Sequence, residues 1–119
     1  MPVDALELVV ASHRFEAARQ ITGLPETNRR GALHGHGFIA SAHASIPRGW
    51  AEFEGSECHN LQQHFARCVK PLDYRLLNDI VDTPTDENVA AWIGQRVEVP
   101  GLARIAVQST PNQGVSIVP

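Results

Sequence analysis

Alternating apolar and polar residues predict two long strands in the first half of the chain. Residues 5–19 alternate over most of their length, which predicts a strand that is long or bent near its middle. Residues 20–31 contain glycine, proline and asparagine and predict a loop. Residues 33–46 alternate again before Pro47. The two strands are therefore expected to pair as a long antiparallel hairpin.

The second half of the chain predicts two helices and then two strands. In residues 60–69 the apolar residues recur at i, i+4, i+7 and i+8, as on one face of a helix that Pro71 ends. Thr85 is a suitable N-cap for a second helix with acidic residues in its first turn. The expected buried stripe of that helix is Val89, Trp92, Ile93 and Val97. Short strands follow at roughly 103–108 and 114–118, with a turn between them.

The order β-β-α-α-β-β predicts a single α+β domain over residues 1–119. The formal net charge of −3 does not favour nucleic-acid binding. No apolar run approaches the length of a membrane span, and no charged-then-apolar pattern typical of a secretory leader is seen in the sequence. We therefore expect a cytoplasmic protein without a membrane partner. Cys58 and Cys68 are interpreted as free thiols in a reducing compartment.

The segment Leu-His-Gly-His at residues 33–36 is the main candidate for chemistry. On a strand, His34 and His36 point to the same side, about 7 Å apart at the backbone. Imidazole suits zinc, but a catalytic zinc takes about three protein ligands. Two hypotheses stay open, a metal site and a pair of hydrogen-bonded strand histidines.

Other candidates carry weaker signals. Asp73 lies in the connection between the helices, where a carboxylate either orients a base or caps a turn. The remaining histidines and the cysteines are interpreted as surface, strand or packing residues: His43, His59, His64, Cys58 and Cys68.

Four motifs together resemble the 6-pyruvoyl-tetrahydropterin and 6-carboxy-tetrahydropterin synthase family, and most closely its bacterial carboxy branch. In chain order they are Phe15–Arg19 (F-x-A-A-H in the family), Leu33–His36 (L-H-G-H), Leu72–Asn78 (L-D-H-x-x-L-N) and Pro84–Asn88 (P-T-x-E-N). The interval of 15 residues from Arg19 to His34 equals the spacing expected for the bacterial enzymes. The resemblance covers roughly residues 13–110.

The resemblance implies the tunnelling fold, in which a four-stranded antiparallel sheet carries two helices on one face. It implies a homotrimer or homohexamer and a pterin-like ligand. The family converts dihydroneopterin triphosphate to a tetrahydropterin, in pterin or queuosine-type pathways. Three histidines hold a zinc ion that acts as a Lewis acid. A cysteine and an Asp-His pair transfer protons, and a glutamate binds the pterin ring.

Carried over residue by residue, the family's zinc ligands fall on His34, His36 and Arg19. Arginine cannot bind zinc, because its guanidinium stays protonated and has no free lone pair. The segment Ala11–Arg14 also resembles the A-S-H-R motif of the family's pyruvoyl branch, which makes His13 an alternative third ligand. If Arg19 occupies the motif position, however, His13 lies six residues earlier on the same strand. That is about 20 Å from the position of Arg19, too far to reach a metal held by His34 and His36.

The other functional positions are also substituted. The family's cysteine falls on Arg30, its aspartate on Asp73, and the histidine after that aspartate on Tyr74. The pterin-binding glutamate falls on Gln108, in a segment that continues to Thr110. Gln108 can still form hydrogen bonds to a pterin edge. A further hypothesis is that Arg19 and Arg30 bind a phosphate or carboxylate.

Three hypotheses for function follow. The first is a diverged member that has lost the standard zinc and cysteine chemistry and binds a pterin-like or anionic ligand. The alternative is an active zinc-dependent lyase acting on dihydroneopterin triphosphate. The third is an assembly subunit that pairs with a homologous partner. A bound zinc ion is accordingly expected for the active lyase, whereas the diverged member and the assembly subunit do not require one.

Overall fold

The computed structural model describes residues 6–21, 33–47, 57–99, 101–110 and 113–118. The elements in chain order are β1 (Leu6–Arg19), β2 (His34–Pro47), α1 (Glu57–Val69), β3 (Arg75–Leu76), α2 (Asp86–Gly94), β4 (Leu102–Thr110) and β5 (Gln113–Ile117). The predicted α+β class and the six predicted elements are confirmed. Within these ranges no helix is both long enough and apolar enough to cross a membrane.

The five strands form one sheet in the order β3-β1-β2-β4-β5. β1 and β2 form the predicted hairpin and pair without a register shift from Leu6 opposite Pro47 to Arg19 opposite His34. The predicted sheet has four antiparallel strands, and the fifth strand is β3, which pairs in parallel with Ala17 and Ala18. With two residues, β3 is too short to give an alternating pattern, so the sequence could not predict it.

Both helices pack on one face of the sheet. The inward residues of β1, β2 and β4 form a single apolar cluster with α1 and α2. In α1 the spacing predicted a face of four residues, of which Leu61, Phe65 and Val69 are buried and Cys68 is half-buried against the core. Pro71 lies in a 3-10 turn directly after the helix. The Thr85 side chain accepts a hydrogen bond from the Asn88 backbone N–H and so caps α2. Within the described residues, neither helix covers the opposite face of the sheet.

Candidate functional site

The two histidines of the Leu-His-Gly-His segment lie at the start of β2, on the helix-facing side of the sheet. His34 pairs with Arg19 and His36 pairs with Ala17 across the hairpin. Their ring centroids lie 4.5 Å apart with the rings nearly perpendicular, and the His36 ring also contacts the Phe38 ring at 5.7 Å. The predicted same-side arrangement of the histidines is thus present, directly beside Arg19.

Arg19 is buried, with only 2% of its surface exposed. Its Nη1 donates to Asp86 Oδ1 at 2.7 Å and to the Pro84 carbonyl at 3.1 Å. The guanidinium also lies over the Phe38 ring, 5.0 Å from its centroid. Because an unpaired buried cation is very unfavourable, the carboxylate of Asp86 is what allows an arginine at this position.

Asp86 connects two strands that are not neighbours in the sheet. One carboxylate oxygen bonds Arg19 on β1, and the other accepts from Ser109 Oγ on β4 at 2.8 Å. β2 lies between β1 and β4. The carboxylate therefore spans the strand that carries His34 and His36. The side chains of Arg19 and Asp86 are both largely excluded from solvent.

Asp73 and Tyr74 both form hydrogen bonds to the backbone of Glu16, at the edge of β1. Asp73 Oδ1 accepts from the Glu16 backbone N–H at 2.9 Å, and the Tyr74 N–H donates to the Glu16 carbonyl at 2.6 Å. Tyr74 has a φ of +56°, in the left-handed region, and its surface is 82% exposed. The Asp73 carboxylate therefore holds the connection between the helices against the edge of β1, and its catalytic role stays a prediction.

Two open clefts meet at Gly37. The first, of about 530 Å³, includes His36 and Gly37 with Glu16, Tyr74, Arg75 and Leu76 among its lining residues. The second, of about 400 Å³, is lined by Arg14, Gly37, Ile39, Gln108, Ser109 and Thr110. A Cβ atom at Gly37 would lie 2.9 Å from an Arg14 side-chain nitrogen and 3.2 Å from the Glu16 carboxylate. The absence of a side chain at Gly37 thus leaves space for the Arg14 and Glu16 side chains beside both clefts.

The structure brings some of the predicted site residues together and separates others. His34, His36 and Arg19 are neighbours, and Gln108 and Thr110 share a cleft. His13 pairs with Ala40, so the register does not bring it to the other two histidines. In the described part of the chain, no group of three or more His, Cys, Asp or Glu side chains is arranged to hold a metal ion. Arg30 lies outside the described residues.

His64 and Cys68 form a separate contact between α1 and the segment before β4. His64 Nε2 accepts from the Glu98 backbone N–H at 3.0 Å, and Cys68 Sγ lies 3.6 Å from the same nitrogen. Burial raises the pKa of the Cys68 thiol, which disfavours the nucleophilic thiolate. His64 and Cys68 therefore help to hold α1 against the segment before β4. The Cys58 side chain lies outside the described residues.

Two residues of the site were missed in the sequence. Asp86 was expected only to favour the first turn of α2, and Ser109 was assigned no role. A signal for Asp86 did exist, because alternation from Phe15 through Ala17 places Arg19 on the buried face. A buried arginine requires an acidic partner, although alternation does not indicate which one.

Comparison with known proteins agrees with this arrangement of strands and helices. Residues 8–119 match the family described as 6-pyruvoyl tetrahydropterin synthase. The 6-carboxy-5,6,7,8-tetrahydropterin synthase of Synechocystis is 34% identical over 115 residues, covering 87% of this chain and 86% of that protein. The dihydroneopterin monophosphate aldolase of Pyrococcus furiosus is 34% identical over 92 residues, covering 71% of this chain and 77% of that protein.

A solved structure shows the same fold. The 6-pyruvoyl tetrahydropterin synthase of Caenorhabditis elegans superposes with a TM-score of 0.76 at 16% identity, covering 100% of this chain and 99% of that chain. The α+β sheet with two helices is thus the tunnelling fold predicted from the motifs. The chain belongs to the 6-pyruvoyl tetrahydropterin synthase family.

Proposed function

We propose that this chain binds a pterin-like ligand and does not form the three-histidine zinc centre of its family. The observation that carries the proposal is the buried Arg19–Asp86 ion pair beside His34 and His36. A protonated guanidinium offers no lone pair, and it adds a positive charge where a zinc ion would need a ligand. The donor set at this end of the hairpin therefore does not fit a zinc ion held by three histidines.

The two clefts support a pterin-like ligand. Gln108 lies in the second cleft at the position of the family's pterin-binding glutamate, and its amide can both donate to and accept from a heterocycle edge. Arg14 lines the same cleft and Arg75 lines the first, so a cation is present in each. Such cations suit an anionic side chain on the ligand. Both sequence relatives described above are also named for pterins.

The alternative function is a lyase that acts on the same class of ligand. His36 and Tyr74 are among the lining residues of the first cleft, and an imidazole is the side chain that most often transfers protons in catalysis. Two reactions are therefore to be assayed. The motif resemblance implies the conversion of dihydroneopterin triphosphate, and the name of one relative indicates an aldolase reaction on dihydroneopterin monophosphate.

Binding without zinc is tested with untagged protein purified without added metal. We expect neopterin at about 100 times its Kd to stabilise the wild type by about 2.7 kcal/mol through mass action. Elemental analysis should give far less than one zinc per chain, and neither dihydroneopterin phosphate should be consumed. The Gln108→Ala variant is the matched control, and neopterin should stabilise it much less. About one zinc per chain together with turnover would instead support the lyase.

The assembly of the chain is a further expectation. We expect a homotrimer or homohexamer, because a monomer leaves the backbone groups of the edge strands β3 and β5 unpaired. Light scattering at micromolar concentration measures the mass directly, and a monomer would contradict this expectation. An assembly subunit would instead co-purify with a homologous partner and bind no neopterin alone.

A further inference from the structure

We infer that Asp86 is a positioning residue for the ligand cleft and acts through Ser109. This inference rests on the proposed function, since it concerns the same cleft and a pterin-like ligand. Asp86 is not among the lining residues of the second cleft, but Ser109, which it bonds, is one of them and lies between Gln108 and Thr110. Asp86 is therefore one hydrogen bond away from the residues expected to contact the ligand.

Successive side chains of β4 project to opposite faces of the sheet. Ser109 is buried on the helix-facing side, where its hydroxyl donates to Asp86. Its two neighbours in the chain project toward the opposite face, where the cleft lies. A hydrogen bond that fixes Ser109 on one face therefore fixes the backbone from which Gln108 and Thr110 project on the other.

The backbone pairing at this segment is weak, so a side-chain contact has more to contribute. The pairing of β2 with β4 ends at Ile39 opposite Gln108. On the other side, the register between β4 and β5 shifts between Gln108 and Thr110. A bulge of this kind leaves a residue outside the regular ladder and redirects neighbouring side chains. Ser109 lies at this irregularity, where its hydrogen bond to Asp86 holds a segment that has fewer regular backbone hydrogen bonds.

Asp86 is itself held in one orientation. Its other oxygen bonds Arg19, and it occupies the first residue of α2 directly after the N-cap Thr85. A carboxylate at this end of a helix is also favoured by the helix dipole. The arginine that stands in place of a zinc histidine is therefore connected through one carboxylate to the ligand-binding part of β4.

The test uses Ser109→Ala, because this change removes the donor and leaves the Arg19–Asp86 ion pair intact. We expect the Kd for neopterin to rise about tenfold, because binding must then order a segment that this hydrogen bond to a charged group orders in the wild type. Ser41→Ala is the matched control, since it removes the Ser12–Ser41 hydrogen bond from the same sheet without touching the cleft. Its Kd should equal that of the wild type.

A double-variant cycle separates positioning from general destabilisation. If Ser109 acts by placing Gln108, then Ser109→Ala should weaken binding much less in a Gln108→Ala background than in the wild type. Independent effects, with the same fold-change in both backgrounds, would overturn the inference. So would an unchanged Kd for Ser109→Ala.

A second measurement needs no ligand and keeps the two proposals distinguishable. Amide hydrogen exchange at residues 108–110 should be about tenfold faster in Ser109→Ala, with the β1–β2 hairpin unchanged. If the wild type fails to bind neopterin, the proposed function fails, and the exchange rates still decide whether Asp86 orders this segment. Unchanged exchange at residues 108–110 would overturn the positioning role whether or not neopterin binds.

Discussion

Replacing Arg19 with methionine is expected to lower the free energy of unfolding by roughly 3 kcal/mol, at the lower end of the range for breaking a buried ion pair. The loss arises because Asp86 would remain buried without its cation. Ser109 and the α2 N-terminus still interact with the carboxylate, which keeps the loss from being larger. Urea denaturation followed by circular dichroism measures the change.

Two controls make this result specific to the buried pair. Arg14→Met removes a cation from the solvent-exposed pair with Glu16, and such pairs contribute at most about 1 kcal/mol. The double variant Arg19→Met, Asp86→Ala removes both charges and should recover much of the lost stability. If Arg19→Met unfolds at the same urea concentration as Arg14→Met, the buried pair does not have the energetic role assigned to it.

Local patterns were sufficient to predict most of the fold. The alternation in β1 and β2, the apolar spacing in α1 and the N-cap Thr85 each depend on residues close together in the chain. These signals are set by side-chain period and by capping chemistry, which a sequence displays directly. The short strand β3 was missed because it depends on the hydrogen bonds that residues 73 and 74 make with Glu16.

The site was predicted less completely, since its contacts join distant parts of the chain. His34 and Arg19 could be placed side by side because they belong to one hairpin. Asp86 follows Arg19 by 67 residues, and Ser109 follows Asp86 by 23. Pairing over such separations depends on tertiary packing, which alternation and helical spacing do not specify. The sequence could predict that Arg19 is buried, but not which carboxylate it meets.

Burial also changes the interpretation of Arg19 as a ligand-binding residue. In the sequence, two arginines near two histidines suggested a site for phosphate or carboxylate. In the structure, the Arg19 guanidinium is 2% exposed and bonds a carboxylate of the chain itself. The carboxylate of Asp86 thus binds the Arg19 guanidinium, which the hypothesis had assigned to a phosphate or carboxylate of a ligand. The cations that line the clefts are Arg14 and Arg75, so an anionic ligand is expected to meet these residues.

The second large effect is expected from replacing Arg19 with histidine. This change restores the F-x-A-A-H motif of the family and places an imidazole opposite His34 in the hairpin register, on the same face as His36. Three imidazoles on adjacent strands provide the usual ligand number of a catalytic zinc. The double positive charge of zinc would also compensate Asp86, which loses its arginine. We expect zinc content to rise from far below one to about one per chain.

Elemental analysis of untagged protein after dialysis against zinc and then against zinc-free buffer measures this change. Arg19→Met is the matched control, because it removes the same cation without supplying a ligand, and it should stay near zero. Adding His34→Ala to Arg19→His should abolish the gain, since two imidazoles do not complete the site. Zinc should also raise the Tm of Arg19→His alone, through binding to the folded state. A folded Arg19→His variant without zinc would show that the residue at position 19 is not what prevents the metal centre from forming.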